Sequence, residues 1–305
     1  DHGTSRGLGD VYKRQLPKNR IIIKDELQDS TIWDLIKRRN TDIVICSCYK
    51  SGTTLTQQIV NLIVNGDDNF ESLYDISTWV ERIFITTPEE KMYFVESLPG
   101  PRILKSHLLF EALPYYPEWK YIYLVRDGRD VGVSYSHHLR SYLPEYLNEN
   151  LPKYFADFWD NWVETKEDKF EYWSYWKHIK SWWQVRNLPN VLLVHYHNLI
   201  YDKSQEIDRI SEFLNLNINT LKKEVILEKS SLEYMKLNWQ KFQPVGVFQP
   251  NTFINKGVNG RWQNLLTTEQ LKRYEIIISE ELEPECAKWV KNAGFLPEVN
   301  STAFD

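Results

Sequence analysis

Three stretches of the chain repeat one pattern: a short apolar run, a turn, and then apolar residues recurring every three or four positions. The first runs from Asp42 to Cys48, passes through Tyr49-Lys50-Ser51-Gly52 and continues as an amphipathic stretch from Thr53 to Asn65. The second pairs Tyr121 to Val125 with Asp130 to Arg140. The third pairs Val191 to Tyr196 with a segment whose Ile207, Ile210, Phe213 and Leu214 share one helical face. Buried strands alternating with helices predict parallel strands joined by crossovers, and so an α/β three-layer sandwich around a central parallel sheet. In such sheets ligands bind beyond the carboxyl ends of the strands.

Between the second and third pairs, Lys153 to Arg186 is dense in aromatics: Trp159, Trp162, Trp173, Trp176, Trp182 and Trp183. Two helices packing bulky rings onto the sheet account for this spacing, and an aromatic platform for a ring-bearing acceptor or a sugar is the alternative. Periodicity vanishes from Lys236 to Trp262, where Pro244, Gly246, Pro250, Gly257 and Gly260 fall, and a loop of that length predicts a functional lid. A closing helix is predicted from Thr267 to about Ala293. Asp1 to Gln15 is Gly-rich and aperiodic and reads as a non-native or disordered leader, leaving residues 16–305 as a single domain.

Composition narrows the function classes. With 305 residues, 42% hydrophobic and 26% charged, one sizeable α/β domain is expected. A net charge of −5 provides no general basic field, so nucleic acid is not an expected partner and any anion site must be local. Cys46, Cys48 and Cys286 suit neither a disulfide framework nor a tetrahedral zinc site and read as buried thiols in a reducing compartment. No apolar run approaches the ~20 residues that span a bilayer, so no membrane partner is expected and a cytoplasmic location is.

The chemistry gathers where strands end. In Lys50-Ser51-Gly52-Thr53-Thr54, backbone N–H groups, two hydroxyls and a lysine meet a helix start, which makes a phosphate cradle. It is not a Walker A loop, because the lysine precedes the glycine and the earlier glycine is missing. Lys105-Ser106-His107 ends a second apolar run, and Arg126 through Ser134 follows a third. Asn255-Lys256-Gly257-Val258-Asn259-Gly260-Arg261-Trp262 lies in the long loop. A ligand with several separated anionic groups fits these four segments.

In order and separation, the four segments resemble the cofactor-binding signature of the cytosolic sulfotransferase family, whose first turn usually reads Tyr-Pro-Lys-Ser-Gly-Thr-Thr-Trp and whose last reads Arg-Lys-Gly-x-x-Gly-Asp-Trp-Lys. The likeness covers roughly Asp42 to Phe295 and includes Val-Ser-Tyr-x-His-His at Val133 to His138. It implies a P-loop-like nucleotide-binding architecture and transfer of a sulfonate group from 3′-phosphoadenosine 5′-phosphosulfate (PAPS) to a hydroxyl or amine of a small acceptor. The product nucleotide is adenosine 3′,5′-bisphosphate (PAP).

By this resemblance Lys50, Ser51, Gly52, Thr53 and Thr54 hold the 5′-phosphosulfate, with Leu55 next to them. Arg126 and Ser134 hold the 3′-phosphate, and Lys256 with Gly257 closes over it. Tyr196 and Ser230, Ser231 and Leu232 match positions beside the adenine. His107 matches the catalytic base, and Lys105 a lysine that steadies the transferring group. A histidine of ordinary pKa near 6.5 suits an alcohol acceptor. No metal is implied, since the transferring group carries less charge than a phosphoryl group.

Three positions depart from the family pattern: Leu55 stands for a tryptophan, Tyr49 for a proline and Asn255 for an arginine, the last with Arg261 nearby to compensate. The family's vertebrate dimer motif aligns with Gln263, Thr267, Thr268 and Lys272 and survives only at Thr267, so monomer and dimer both stay open. A P-loop nucleotide kinase or other phosphotransferase shares the sheet and cradle, and a non-catalytic PAP-binding protein would keep the pocket. Retention of Lys105 and His107 speaks against the second.

Overall fold

The computed structural model describes residues 20–84, 86–165 and 174–296. The leader and Trp173 lie outside the described residues. Four strands, β1 (Ile43–Ser47), β2 (Ile103–Ser106), β3 (Lys120–Val125) and β4 (Val191–His195), form one sheet in the order β2-β1-β3-β4. Every pairing is parallel. The chain leaves β1 for β2 on one side and returns to β3 on the other, so its winding reverses at β1. The carboxyl ends of β1 and β3 therefore flank the crevice where such sheets take their ligands.

Period-two alternation divides the strand residues between two cores. Val44, Cys46, Leu104, Tyr121, Tyr123 and Leu193 face an aromatic layer. Ile43, Ile45, Ile103, Ile122, Leu124 and Val194 face an aliphatic one. The aliphatic face is covered by α1 (Thr53–Asn65), through Ile59, Val60, Leu62 and Ile63, and by α5 (Lys203–Phe213), through Ile207 and Ile210. The aromatic face is covered by α3 (Phe155–Val163), α4 (Tyr175–Trp183), α6 (Thr268–Glu281) and α7 (Pro284–Asn292). Helix α2 (Gly128–Leu139) follows β3 and presents Val131 to this core. Both faces are covered, as all-parallel sheets require, and the three layers expected from the strand–helix alternation are present.

Trp159, Trp176 and Trp182 are all but fully buried in this core, and Trp182 stacks on Tyr123 of β3 with ring centroids 4.8 Å apart. The packing explanation of the aromatic stretch accounts for them, and none lines the cavity described below.

Two boundaries differ from expectation. The single closing helix is two, because Leu282 is extended and Glu283, which precedes Pro284, is barred from the helical region. Pro284 then opens α7 at a position where its missing N–H costs nothing. The long aperiodic segment starts as helix, Leu232–Leu237 and Trp239–Phe242, with Met235 and Phe242 packed against Leu73. Irregular chain begins only at Gln243, so the segment is a shorter loop than the sequence suggests.

At the opposite edge of the sheet a buried pair fastens the strand starts. Arg102 Nε donates to Asp42 Oδ1 at 2.8 Å, Nη2 donates to Asp42 Oδ2 at 2.5 Å and to the Lys37 carbonyl at 2.8 Å, and both side chains are sealed from solvent. Removing one partner leaves an uncompensated buried charge. Arg102→Met is therefore expected to cost about 3–5 kcal/mol of stability, read from urea unfolding, whereas replacing both members by apolar residues should cost much less.

Candidate active site

The turn after β1 holds two residues in the left-handed region, Lys50 at φ 61° and Gly52 at φ 101°. Gly52 is required twice over: its φ is strained for any other residue, and a Cβ would lie 2.5 Å from Cδ2 of Tyr196, which follows β4. The Gly52 carbonyl accepts from Thr56 N at 3.0 Å and opens α1, whose first turn has no side-chain cap. Its N-terminal N–H groups and the positive end of its dipole are thus left for an anion. Thr53 and Thr54 line the cavity in front of this turn, and Thr53 Oγ1 lies 2.6 Å from Ser47 Oγ. Ser51 is fully buried and its side chain is absent from the cavity wall. Like Gly52, which has no side chain, it has only its backbone N–H to offer the cradle.

Three cations converge on the same space. Lys50 is pushed down to about 7, first by burial and then by Lys105 and Arg126. Lys105, at the end of β2, is pushed down to about 8 by burial, partly offset by Glu81 and reinforced by Arg82 and Lys91. Arg126, at the end of β3, lies over the Tyr196 ring at 4.3 Å and donates to the carbonyls of Lys50 at 3.2 Å and Val258 at 2.9 Å. Its Nε donates to Asn259 Oδ1 at 3.1 Å. Lysines hold depressed pKa values when they are buried beside like charge that no anion fully offsets.

His107 leaves the end of β2 beside Lys105. Its Nδ1 lies 2.8 Å from the Ser47 carbonyl, and a carbonyl only accepts, so Nδ1 carries the proton and Nε2 keeps the lone pair. The ring is held between Tyr49, 4.4 Å between centroids, and the edge of Trp79 at 4.7 Å. Burial first, then the Lys105 charge, hold it well below its ordinary 6.5, so it is a neutral imidazole at pH 7. The backbone N–H of His107 donates to Glu81 Oε1 at 2.7 Å, which fixes where the side chain starts.

All of these groups share one cavity of about 1040 Å³. Leu55, Arg126, Ser134, Tyr196, Ser230, Ser231 and Leu232 line it, as do Asn255, Lys256 and Gly257. Ser231 caps the following helix, its Oγ accepting from Tyr234 N at 3.1 Å. Ser230 Oγ and Asn255 Nδ2 are buried without a hydrogen-bond partner among the described residues. Two orphaned polar atoms in the wall of a cavity are places where a ligand would bond. Gly257 has φ 63°, a conformation that favours glycine, and a Cβ there would press on Leu232 Cδ1 at 2.9 Å, so the loop lies close on Leu232.

Several residues outside the predicted catalytic and cofactor-binding set bear on the site. Asp130 accepts from Gly260 N at 2.9 Å and Arg261 N at 3.2 Å and so pins the loop to α2. His138 accepts at Nδ1 from Lys50 Nζ at 3.3 Å and lines the cavity, whereas His137 turns to Ser141. Glu81 and Trp79 come from a segment that adds to the free edge of β2, where Val80 N donates to the Lys105 carbonyl at 3.1 Å. Arg129 pairs with Asp127 and packs over Trp262 at 4.1 Å, away from the cavity. Among the described residues, no group of three or more His, Cys, Asp or Glu is placed to hold a metal ion.

The charge crowding gives a test that needs no knowledge of the reaction. In the unfolded chain Lys50 titrates near 10.5, so between about 7 and that value the unfolded state binds more protons and stability rises with pH. At and below pH 7 the fold carries the cost of the charged form. Lys50→Met should raise the melting temperature of the ligand-free protein near neutral pH and reduce its stabilisation by sulfate. A lower melting temperature with sulfate stabilisation intact would contradict the cradle.

Comparison with known proteins agrees with this geometry. The family model described as the Sulfotransferase domain matches residues 40–284. Sulfotransferase 1B1 of Mus musculus is 30% identical over 273 residues, 82% of this chain and 86% of its own. Sulfotransferase 1C2 of Homo sapiens is 27% identical, covering 84% of this chain and 90% of its own. Among solved structures, retinol dehydratase in a complex with retinol and PAP superposes with a TM-score of 0.71 at 26% identity, covering 88% of this chain and 89% of that one. With the match spanning all four strands and every segment that lines the cavity up to Trp262, the chain belongs to the sulfotransferase family.

Proposed function

We propose that this protein transfers a sulfonate group from PAPS to a hydroxyl or amine of a small acceptor, with His107 as general base. The observation that carries the assignment of roles is the convergence of Lys50, Lys105 and Arg126 on one cavity whose wall also holds two orphaned polar atoms. The residues fit a nucleotide with two separated anionic ends. The α1 cradle with Lys50 suits the 5′ end, while Arg126, Ser134 and Lys256 suit the 3′-phosphate. Arg261 lines the same cavity and titrates under the influence of Arg126, so it stands close enough to supply the charge that Asn255 lacks. Tyr196, Ser230 and Leu232 form the part of the wall suited to a base. PAP in the retinol dehydratase structure supports this choice of nucleotide.

In the reaction the acceptor oxygen forms a bond to sulfur as the bond from sulfur to the 5′-phosphate oxygen breaks, and the electron pair leaves on that oxygen. Lys50 is placed to neutralise the leaving oxygen, and Lys105 the oxygens of the group in transit. The acceptor proton goes to Nε2 of His107, the nitrogen that the Ser47 carbonyl leaves unprotonated. Glu81 holds the His107 backbone, and Tyr49 and Trp79 hold its ring, so the base is positioned before the acceptor arrives.

The phosphotransferase alternative shares the sheet and the cradle, and family membership removes its support. No helix among the described residues is long and apolar enough to cross a membrane. Three buried free thiols fit a reducing compartment, so we place the protein in the cytoplasm as one catalytic domain over residues 16–305.

Three measurements test these roles. PAP should raise the melting temperature more than ATP, which lacks a 3′-phosphate, with about 2.7 kcal/mol of stabilisation at a hundredfold excess over its Kd. Equal stabilisation would remove the Arg126 and Ser134 assignment. His107→Ala should lower turnover of an aliphatic alcohol by on the order of 10²–10⁴ with PAP affinity nearly unchanged, whereas Lys50→Ala should weaken binding and turnover together. Because the free-enzyme lysines titrate at about 7 and about 8 and bind an anion only when charged, kcat/KM for PAPS should fall as pH rises through that range. A flat alkaline limb would contradict their role.

A further inference from the structure

Lys203 lines the cavity and takes no part in the roles assigned above. It opens α5, directly after the short helix Tyr196–Tyr201 that carries Tyr196 and Ile200 to the same wall. Its half-buried side chain crosses to a distant part of the chain, where Nζ donates to the Ser230 carbonyl at 2.7 Å. No carboxylate lies within ion-pair distance of Lys203 among the described residues: Glu206 of its own helix pairs with Arg209, and Asp68, close to the Ser230 segment, pairs with Lys229. Burial lowers the Lys203 pKa, with no contribution from Lys50, Arg126, Lys256 or Arg261. Lys203 therefore stands apart from the cations that suit the two anionic ends of the nucleotide.

The wall around it is mostly aliphatic. Leu55 and Ile200 pack with Tyr196, and Leu232 follows Ser230 and Ser231. The Tyr196 ring already carries the Arg126 guanidinium at 4.3 Å and abuts Gly52. A base lying here gains apolar contact but little ring stacking, so its polar edge has to supply much of its hold. Two polar groups face that edge. After serving the Ser230 carbonyl, the Lys203 ammonium keeps two further donors. Ser230 itself is 1% exposed and its Oγ has no hydrogen-bond partner among the described residues. An ammonium beside a hydroxyl oxygen matches the edge of an adenine, where a 6-amino group donates and the ring nitrogens on either side of it accept.

Resting on the PAPS reading, we infer that Lys203 is a further nucleotide-binding residue, whose ammonium donates to a ring nitrogen flanking the adenine 6-amino group while that amino group faces Ser230 Oγ. Such a bond is charge-assisted and stronger than a neutral one. It also holds the base at the point where the family pattern has a tryptophan and this chain has Leu55.

The test compares PAP with three analogues in which N1, N3 or N7 of the adenine is replaced by CH, each titrated calorimetrically. Either the 1-deaza or the 7-deaza analogue should bind the native protein about tenfold more weakly than PAP. Lys203→Met should weaken PAP by a similar factor and should bind that analogue as tightly as PAP, whereas the ratio for the 3-deaza analogue should be the same in both proteins. A Lys203 that merely braced the Ser230 carbonyl would weaken PAP and every analogue alike, leaving each ratio at its native value. That result overturns the inference. So does native protein that binds the 1-deaza and 7-deaza analogues as tightly as PAP, an outcome that is read without any variant. Failure of PAP itself to bind overturns the nucleotide assignment instead.

Discussion

The constraint on which the rest depends is the confinement of like charge at the carboxyl edge of the sheet. Lys50, Lys105 and Arg126 come from three adjacent strands, and in isolation they would separate into water. The fold holds them together by burying their stems and by spending Arg126's donors on backbone carbonyls. The hydrophobic sheet, with aliphatic and aromatic residues divided between its faces, supplies the rigidity that such confinement needs. Ligand-free stability is lowered locally so that an anion is welcomed without rearrangement, the arrangement by which an electrostatic site acts in a transition state.

What could be read from the chain was what is local. Strand, turn and helix over Asp42 to Asn65 follow from apolar periodicity and from glycine at a place where a positive φ and the Tyr196 ring exclude other residues. The cations were legible because each ends an apolar run, and parallel strands bring run ends to one edge. The resemblance extended this to Ser230, Ser231 and Leu232, which no pattern of their own would mark. Ser51 shows the limit of a motif: it lies within the signature, yet its side chain turns into the interior.

What could not be read depends on contacts distant in sequence. Glu81 looks like any surface glutamate until its segment adds to the edge of β2 and buries it against Trp33, Ser106 and His107. His138 is one of two adjacent histidines, and only the direction of α2 decides that it, and not His137, meets Lys50. The break between α6 and α7 was available in Pro284, but continuous apolar periodicity outweighed it. The helical start of the long loop was hidden because the periodic residues that define it begin before the loop, at Leu232.

The loop that crosses the cavity is secured on both sides. Gln243 Oε1 accepts from Thr252 N and Phe253 N, and Gln249 N donates to the Ser141 carbonyl, which makes one pier. Asp130, gripping Gly260 and Arg261, makes the other. Arg126 extends that pier by donating to the Val258 carbonyl and to Asn259 Oδ1, so Ile254 to Gly257 spans the gap, like the deck of a bridge whose abutments belong to the folded body. Such a span can sag or rise by small amounts but cannot swing aside, so large acceptors and nucleotides must enter beneath it, from the side. An inserted residue in the deck would be absorbed there as slack, while one at either abutment would disturb the catalytic domain itself.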